Sequence, residues 1–461
     1  MAVFIQVLLS ISHELMLFAA FAFVLGGTSD TAVDLIWAAR ATWRRGFIFK
    51  RFTRATAISL EPSVKPERLA VFIPAWDEST VIGAMLRHAI DALAPADCVI
   101  YVGVYPNDPA TIAAVAAVAS PRVRPVIGPR PGPTTKADCL NILWQQMQAD
   151  DLVDGVRTKA VVLHDAEDVV HASEARVFDC LTDRFDLVQL PVVPLVDPAS
   201  RWISGHYIDE FAVHHGKTIV AREWIGAGLP SAGVGCAFSR TMLDRIAQGR
   251  DGPFDAASLT EDYELGLRIR QLGGRGAFVR LPESPGGPLV CVRAHFPAEL
   301  ADAVVQKSRW IAGIALSGWD RLGWQGGFAE SWMRLNDRRA LFAAIVMLAA
   351  YGALATYAIA TLLGAALGIE SSLRSSWLFD ILLLLCGVLL LWRLTLRGVL
   401  VTQLYGWREG LRSIPRSFFA NVIDMMAARR AVEVYLKARR DGVVRWDKTR
   451  HAFPADPGTA R

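Results

Sequence analysis

Carboxylate side chains crowd together where one short apolar run of this sequence ends. Asp165, Glu167 and Asp168 follow closely on the run Ala160–Leu163. Like charges held this close repel one another unless a cation or a proton compensates them. Mg²⁺ or Mn²⁺ with oxygen ligands is the natural compensation, and such an ion keeps coordination sites for water and phosphate oxygens. The cluster therefore predicts a metal site, and a solvated loop of ordinary charge is the alternative.

A second acidic group, Thr260-Glu261-Asp262, stands at the start of a helix predicted over Tyr263–Gln271. The helix dipole stabilises acidic residues at this end, so helix capping alone would account for them. A carboxylate fixed there also stays ionised and could accept a proton from a substrate hydroxyl. General-base catalysis of this kind typically contributes about 10²–10⁴-fold to a rate.

A basic and aromatic group lies in the segment 306–310. Gln306, Arg309 and Trp310 are spaced to project from one face of a helix. A planar guanidinium can bind diphosphate oxygens, and the face of a tryptophan can stack on a sugar ring. An amphipathic surface helix near a membrane is the alternative interpretation.

These groups need a framework, and the sequence predicts one between residues 69 and 190. The predicted strands are Leu69–Ile73, Val99–Val104, Val123–Ile127, Ala160–Leu163 and Leu187–Leu190. The predicted helices are Thr80–Leu93, Ala110–Val118, Thr134–Gln148 and Ser173–Thr182. Strands that are apolar on both faces belong in a buried parallel sheet, so the alternation predicts a doubly wound α/β domain. Ligands bind such sheets beyond the carboxyl ends of the strands, where the acidic cluster lies.

Three apolar stretches are long enough to cross the roughly 30 Å of hydrocarbon in a bilayer. They lie at residues 1–27, 340–369 and 376–397. Arginines follow the first stretch, precede the second and follow the third, so the positive-inside rule places all three clusters in the cytoplasm. We therefore predict a multi-pass protein of a bacterial inner membrane. Its other parts would be an interfacial helix or linker at 28–60, a cytoplasmic domain at 61–330 and a cytoplasmic interfacial tail at 398–461.

Composition and missing motifs exclude several classes of protein. The net charge is only +4, and the aromatic residues are not interleaved with a basic stripe, which disfavours nucleic acid as a partner. The six cysteines form no CxxC pair, which disfavours a zinc ribbon or a disulfide scaffold and suits a reducing cytosol. The sequence also lacks a Walker A loop, a GxSxG motif and an HExxH motif.

Taken in order, these segments resemble the family-2 glycosyltransferases with the GT-A fold, over about residues 65–320. The strongest pieces are Thr260-Glu261-Asp262 and the QxxRW motif at 306–310. Longer stretches are similar to the membrane glycosyltransferases of the bacteriophage adsorption protein B group. They are VYPNDPAT at 104–111, KADCLN at 136–141, HDAED at 164–168, PSAGVGCAFSR at 230–240 and WDKTRHAFP at 446–454. The resemblance implies an α/β, Rossmann-like nucleotide-diphospho-sugar transferase domain inserted between transmembrane helices.

The resemblance also implies a role for each motif. Asp262 would be the catalytic base. Asp165 and Glu167 would bind a divalent metal, Mg²⁺ or Mn²⁺, with Asp168 as a competitor for the second place. The residues implied to bind the donor nucleotide are Ala75, Glu78, Asp108, Lys136 and Asp165. The residues implied to contact the acceptor and the diphosphate are Glu261, Gln306, Arg309 and Trp310. Two departures from the family pattern are the single Asp108 where paired aspartates are common, and DxE in place of DxD at 165–167.

The implied reaction is an inverting transfer from a nucleotide-diphosphate sugar, expected to be a UDP-hexose or UDP-N-acetylhexosamine. The expected acceptor is a growing cell-surface or exopolysaccharide chain. Three spans are few for a polymer channel, so a homo-oligomer or an export partner is also expected. One alternative is a single addition to a lipid-linked sugar. Another is a membrane scaffold or phage-receptor component with a vestigial transferase domain.

Overall fold

The computed structural model describes residues 1–63, 67–370, 372–373, 376–441 and 448–455. In chain order, helices α1–α15 are Ala2–Trp43, Ile82–Ala92, Pro109–Ala116, Lys136–Asp154, Glu174–Leu181, Ile203–Val213, Ile219–Trp224, Arg240–Ala247, Glu261–Gln271, Leu300–Ile311, Gly318–Leu322, Phe328–Arg338, Ala340–Leu367, Trp377–Tyr405 and Trp407–Asp441. Strands β1–β9 are Leu69–Pro74, Cys98–Val104, Val123–Ile127, Ala160–Leu163, Leu187–Gln189, Val192–Pro194, Cys236–Ser239, Gly276–Phe278 and Val292–Ala294. Single π-helical turns lie at Arg44–Ile48, His214–Thr218 and Ala312–Ser317, and a 3₁₀ turn lies at Ala57–Ser59.

Seven of the strands form one mixed sheet in the order β3-β2-β1-β4-β7-β5-β8. Strands β1 to β4 are parallel, as predicted, and every residue of β1 is buried. The predicted parallel arrangement is wrong further along, because β7 lies antiparallel between β4 and β5. β7 is only four residues long and follows the glycine-containing segment 233–235. Its residue pattern is therefore too short to show whether the strand runs parallel or antiparallel to its neighbours. β6 and β9 pair in a separate small parallel sheet.

Apolar cores lie on both faces of the large sheet, because successive side chains of a strand point to opposite sides. Val71 and Ile73 of β1 belong to the core that includes Leu86 of α2. Phe72 belongs to the other core, with Leu140 of α4. Burial of a side chain of this size contributes about 1.5–3 kcal/mol relative to exposure. The two cores hold β1 and β4 rigidly, so the loops that follow these strands start from fixed points.

In the described part of the chain, three helices are long and apolar enough to cross a bilayer, α1, α13 and α14. α1 packs along both of the others, and the Ser12 hydroxyl donates a hydrogen bond to the Ala353 carbonyl at 2.9 Å. The predicted boundary after residue 27, with a separate interfacial helix beginning at 28, is wrong, because α1 continues unbroken to Trp43. A Cβ at Gly27 would lie 2.7 Å from Leu389 on α14. This glycine therefore permits close helix packing instead of ending the helix.

A buried ion pair joins α1 to the globular domain. The Asp34 carboxylate accepts hydrogen bonds from Lys217 Nζ and, at 2.7 Å, from the Trp392 indole of α14. Asp34 is 4% exposed and Lys217 is 7% exposed. Because a buried charge is costly unless it is paired, this contact fixes how the domain meets the apolar helices.

The C-terminal region differs from the predicted interfacial tail at 398–461. α14 runs to Tyr405, past the predicted end at residue 397. α15 then packs on α10 and α14. Large apolar side chains recur along its exposed side at helical spacing, at Trp407, Leu411, Ile414, Phe418 and Val422. Such a stripe is typical of a helix lying in a membrane surface, so for α15 the interfacial location stays a prediction.

Residues 448–455 return to the carboxyl end of β1, where Lys448 Nζ donates a hydrogen bond to the Asp77 carbonyl. The polar side chains of this segment meet acidic partners in the globular domain. That the segment also lies at a membrane surface stays a prediction. Trp446 and Asp447 of the WDKTRHAFP stretch lie outside the described residues.

A fully buried arginine fastens α15 to α6. Arg416 donates to both carboxylate oxygens of Asp209, at 2.6 and 3.0 Å, and to Glu409 at 2.6 Å. Burial raises the pKa of Asp209 to about 6, although Arg416 opposes that shift. The Arg416 guanidinium therefore compensates Asp209 and shares Glu409 with Arg412.

We expect Arg416→Ala to lower the free energy of unfolding by about 3–5 kcal/mol, because it leaves the buried Asp209 without its hydrogen-bonded cation, whereas Glu409 keeps Arg412. The measurement is the melting temperature of the detergent-solubilised protein. Arg429→Ala is the matched control on the same helix, since the Arg429 side chain is 84% exposed. Equal melting temperatures for the two variants would contradict this account of the Arg416 contacts.

Candidate active site

A cleft opens where β4, α4, α9 and α10 converge. Nine of the predicted site residues line it. They are Lys136, Asp165, Glu167, Asp168, Glu261, Asp262, Gln306, Arg309 and Trp310. Segments that are far apart in the sequence therefore meet at the carboxyl edge of the sheet, as the doubly wound prediction requires.

Lys136 supplies a positive charge on the floor of this cleft. It is the first residue of α4, which Thr135 caps by accepting a hydrogen bond from the Asp138 backbone N–H at 3.2 Å. Lys136 Nζ lies 2.5 Å from Asp165 Oδ1. Burial tends to lower the pKa of Lys136, but Asp165, Glu261 and Asp262 outweigh it and raise that pKa. The same contact overcomes the burial of Asp165 and lowers the pKa of its carboxyl group, so the pair stays ionised.

Asp168 has a structural task in the same loop. Its carboxylate accepts hydrogen bonds from His164 Nδ1 at 2.9 Å and from the Asp165 backbone N–H at 3.0 Å. The other ring nitrogen of His164 lies 2.7 Å from Glu174. Burial lowers the pKa of His164, but Glu174 and Asp168 raise it overall to about 10. The loop after β4 is thus held by a charged histidine, and Asp168 is less available than Glu167 as a metal ligand.

Glu167 points toward a different set of partners. Its Oε2 lies 3.2 Å from His451 Nδ1, and the same nitrogen lies 2.7 Å from Glu78 Oε1. Ligand atoms of these three residues all lie within 4.8 Å of one another, close enough to hold one metal ion. Burial raises the pKa of Glu167 to about 8, with help from Asp165 and despite His451.

Sequence reasoning missed both His451 and Lys448 as members of the site. The WDKTRHAFP stretch carried only the family resemblance and received no role. One signal could have found them, because basic residues in a polar tail are natural partners for an acidic cluster that lacks enough local cations. Nothing in the sequence, however, indicates that residue 451 folds back to residue 78.

The second acidic group forms the opposite wall. Glu261 is buried at the start of α9, and burial together with Asp262 raises its pKa to about 7. Burial also raises the pKa of Asp262, while Lys136 opposes that shift. Asp262 Oδ1 accepts a hydrogen bond from the Tyr263 backbone N–H at 2.8 Å. A Cβ at Gly233 would lie 2.3 Å from Asp262 Oδ2, so only a glycine fits beside this carboxylate without displacing it.

The QxxRW segment lies on α10 and faces the cleft with Gln306, Arg309 and Trp310. The Trp310 ring packs edge-on against Tyr207, with 6.0 Å between ring centroids. Gln306 Oε1 is buried and has no hydrogen-bond partner among the described residues. Lys307 turns away from the cleft and bonds Glu210 at 2.9 Å, which anchors the helix.

Three predicted donor residues do not line the cleft. Ala75 is fully buried, and its backbone N–H donates to the Gly103 carbonyl at 2.8 Å. Asp108 caps α3 and accepts hydrogen bonds from the backbone N–H groups of Thr111 at 3.2 Å and Asp77 at 2.6 Å. Glu78 reaches the site only through Glu167 and His451. Their roles toward a nucleotide stay predictions.

With this geometry in view, residues 66–313 match the family model described as glycosyltransferase like family 2. The chain belongs to this family. It is 36% identical over 463 residues to the bacteriophage adsorption protein B of Escherichia coli (strain K12). It is equally similar to the bacteriophage N4 adsorption protein B of Escherichia coli O157:H7. The match covers 95% of this chain and 62% of each relative, so the chain spans less than two thirds of their length.

Among solved structures, this family-2 chain is similar to a mannosyltransferase from Pyrobaculum calidifontis in complex with GDP-Man and Mn²⁺. The TM-score is 0.52 at 17% identity, and the match covers 92% of this chain and 99% of that one. At such low identity the likeness concerns the fold. Together with the mixed sheet, it confirms the predicted α/β architecture of the GT-A type.

We expect Gly233→Ala to slow the release of nucleotide from a nucleotide sugar by about 10²-fold, because displacing Asp262 by about 1 Å costs that much in an aligned site. Gly249→Ala is the matched control. Both glycines have positive φ, +73° and +72°, but a Cβ at Gly249 would meet no atom within 4 Å. The two variants share the backbone strain, so equal rates would show that the clash with Asp262 is unimportant.

Proposed function

We propose that this protein is an inverting glycosyltransferase of a bacterial inner membrane. It transfers a sugar from a nucleotide-diphosphate sugar to a growing cell-surface or exopolysaccharide chain. One observation carries the proposal. A carboxylate at a helix N-terminus, Asp262, shares one cleft with the acidic strand end at Asp165 and Glu167 and with Arg309 and Trp310. This arrangement supports the proposal, in which Asp262 is the base, Asp165, Glu167 and Arg309 bind the diphosphate and Trp310 stacks on a sugar ring.

In the proposed reaction, an acceptor hydroxyl attacks the anomeric carbon of the donor. Asp262 takes the hydroxyl proton as the new carbon–oxygen bond forms. The bond from the anomeric carbon to the diphosphate breaks on the opposite face, and the diphosphate leaves with the electron pair. Attack and departure on opposite faces invert the configuration at that carbon.

Negative charge builds on the diphosphate as it leaves. Electrostatic stabilisation of such charge in the transition state is usually the largest contribution to the rate enhancement of an enzyme. Lys136 and Arg309 line the cleft and supply positive charge from two different helices, α4 and α10. Gln306 and Glu261 offer polar atoms to acceptor hydroxyls, and Trp310 offers a ring face. Ala75, Glu78 and Asp108 lie at the ends of β1 and β2, on the side proposed for the nucleotide.

A divalent metal, Mg²⁺ or Mn²⁺, fits this set of residues. Glu167 Oε2 is buried and accepts no hydrogen bond among the described residues, and its contact with His451 Nδ1 at 3.2 Å leaves room for a metal ion to take the place of the histidine proton. Asp165 and Glu167 would hold the ion. When bound, the ion stabilises negative charge on the diphosphate as a Lewis acid. The mannosyltransferase of similar fold was solved with Mn²⁺ and GDP-Man, which supports a metal and a nucleotide-sugar donor for this chain. We propose that the donor is a UDP-hexose or UDP-N-acetylhexosamine.

The membrane location rests on the three long apolar helices and on the arginines beside them. By the positive-inside rule, the domain between α1 and α13 is cytoplasmic. The buried pair of Asp34 and Lys217 holds that domain against the inner end of the bundle. A nucleotide sugar in the cytoplasm would thus reach the cleft directly, and the acceptor would lie near the bilayer.

We expect purified, detergent-solubilised protein to release nucleotide from one member of a panel of UDP-sugars in the presence of Mg²⁺ or Mn²⁺. Asp262→Asn should lower that rate by about 10²–10⁴-fold, because it removes the general base. The control is Asp97→Asn, whose side chain is 64% exposed on the far side of β2 from its carboxyl end. Near wild-type turnover by Asp262→Asn would show that another group is the base.

Product length tests the polymer proposal. We expect a labelled donor sugar to appear in a ladder of long saccharides, because the QxxRW side chains hold an acceptor that can stay bound after each addition. A single added sugar on a lipid-soluble product would instead establish the alternative of one addition to a lipid-linked sugar. The small number of membrane helices, three in the described part of the chain, favours that alternative. Absence of turnover with every donor would favour a scaffold with a vestigial domain.

A further inference from the structure

The segment 448–455 enters the candidate site from beyond α15, the last helix among the described residues. α15 ends at Asp441, and residues 448–455 lie against the carboxyl end of β1. Lys448 contacts the Asp77 carbonyl and lies 3.3 Å from Glu78 Oε1. His451 lies between Glu78 and Glu167. A part of the chain that follows every membrane helix therefore contributes side chains to the acidic cluster.

The histidine ring is oriented by contacts to both of its nitrogens. Thr449 Oγ1 lies 3.1 Å from His451 Nε2, and the Nδ1 edge faces Glu78 and Glu167 at 2.7 and 3.2 Å. Metal-binding histidines usually engage their second nitrogen in a hydrogen bond, which fixes the ring and directs the first nitrogen at the ion. The Thr449 contact has this form.

The cluster also contains a carboxylate oxygen with little polar contact. Glu167 is 8% exposed, and within the part of the chain that the structure describes its Oε2 accepts no hydrogen bond and meets only the His451 ring, at 3.2 Å from Nδ1. Atoms of Glu78, Glu167 and His451 lie within 4.8 Å of one another, which suits ligand bonds of about 2.0–2.6 Å to a common centre. We propose that His451 is a protein ligand of the divalent metal, together with Glu167 and Glu78, delivered by the segment 448–455.

The segment has its own docking site, which positions the proposed ligand. Phe453 packs against the core beneath α2, and its ring centroid lies 6.1 Å from that of His88. Pro454 and Ala455 line a groove with residues of α2. His451 is therefore held on one side by Lys448 and on the other by Phe453. Metal affinity should depend on this short segment as well as on the strand ends.

A nitrogen ligand changes which ion the site prefers. Mg²⁺ takes oxygen ligands, whereas Mn²⁺ accepts oxygen ligands and also belongs to the transition-metal series that binds nitrogen ligands. The inference rests on the proposed function, since the metal serves the transfer reaction there. It goes further in naming the ligand set, in which Glu78 and His451 join Glu167 while Asp165 stays paired with Lys136. It also predicts that the preference for Mn²⁺ over Mg²⁺ comes from His451.

The test measures Mn²⁺ binding directly on the full chain in detergent. Free Mn²⁺ is titrated by electron paramagnetic resonance, and electron spin-echo envelope modulation detects a nitrogen bound to the ion. We expect the wild type to show coordinated nitrogen. His451→Ala should lose that signal and bind Mn²⁺ at least about tenfold more weakly, the range seen when metal sites lose a supporting group. Arg450→Ala is the matched control from the same segment, because its side chain is 86% exposed.

His451→Asp guards against a variant that merely misfolds. It keeps an oxygen ligand at the same place, so it should bind Mn²⁺ more tightly than His451→Ala and show no nitrogen signal. Equal affinity of His451→Ala and the wild type would overturn the proposal. Weaker binding by His451→Ala without a nitrogen signal in the wild type would also overturn it, since His451 would then only orient the carboxylates.

Failure of this inference can be told apart from failure of the proposed function. Nucleotide release by the wild type is measured in parallel, with Mn²⁺ and with a chelator. Turnover that persists while Mn²⁺ does not bind would overturn the metal site and leave the transferase proposal standing. Tight Mn²⁺ binding with coordinated nitrogen but no turnover would support the metal site and count against the transferase.

Discussion

Several carboxylates must stay charged in a cleft that is largely shielded from water, and much of the structure answers this constraint. An uncompensated buried carboxylate is costly and would take up a proton. Several of the acidic groups therefore lie against a basic side chain. Lys136 of α4 pairs with Asp165, His164 lies between Asp168 and Glu174, and His451 lies between Glu78 and Glu167. The same pairings bring the strand ends, α4 and the C-terminal segment together.

Much of this arrangement could be predicted where the signal was local. The runs that became β1 to β4 are apolar on both faces, and the helices between them have clear patterns, so half of the sheet and the positions of Asp165 and Asp262 followed from sequence. The four-residue strand β7 has too few residues to show a direction, so its antiparallel pairing was missed. The return of His451 to Glu78 depends on tertiary charge pairing between residues 373 positions apart, which no local pattern contains.

The acceptor side of the cleft is built on helices that also touch the apolar bundle. Lys307, within the QxxRW segment, bonds Glu210 of α6 at 2.9 Å and Asp424 of α15 at 2.5 Å. Arg416 joins α15 to α6 through Asp209. The donor side, in contrast, is built on the sheet and α4. Charged contacts thus divide the cleft into one wall carried by the sheet and another carried by helices near the proposed membrane surface.

The unbroken helix α1 has a mechanical consequence. Its 42 residues extend for about 63 Å at 1.5 Å per residue, about twice the roughly 30 Å thickness of hydrocarbon. If its N-terminal half crosses a bilayer, its C-terminal half is a stiff stalk, held to the globular domain at Asp34. Apolar helices tilt when the bilayer thins, and a stalk of this length converts tilt into sideways travel. The lipid composition around the outer half would then set how far the cleft stands from the bilayer.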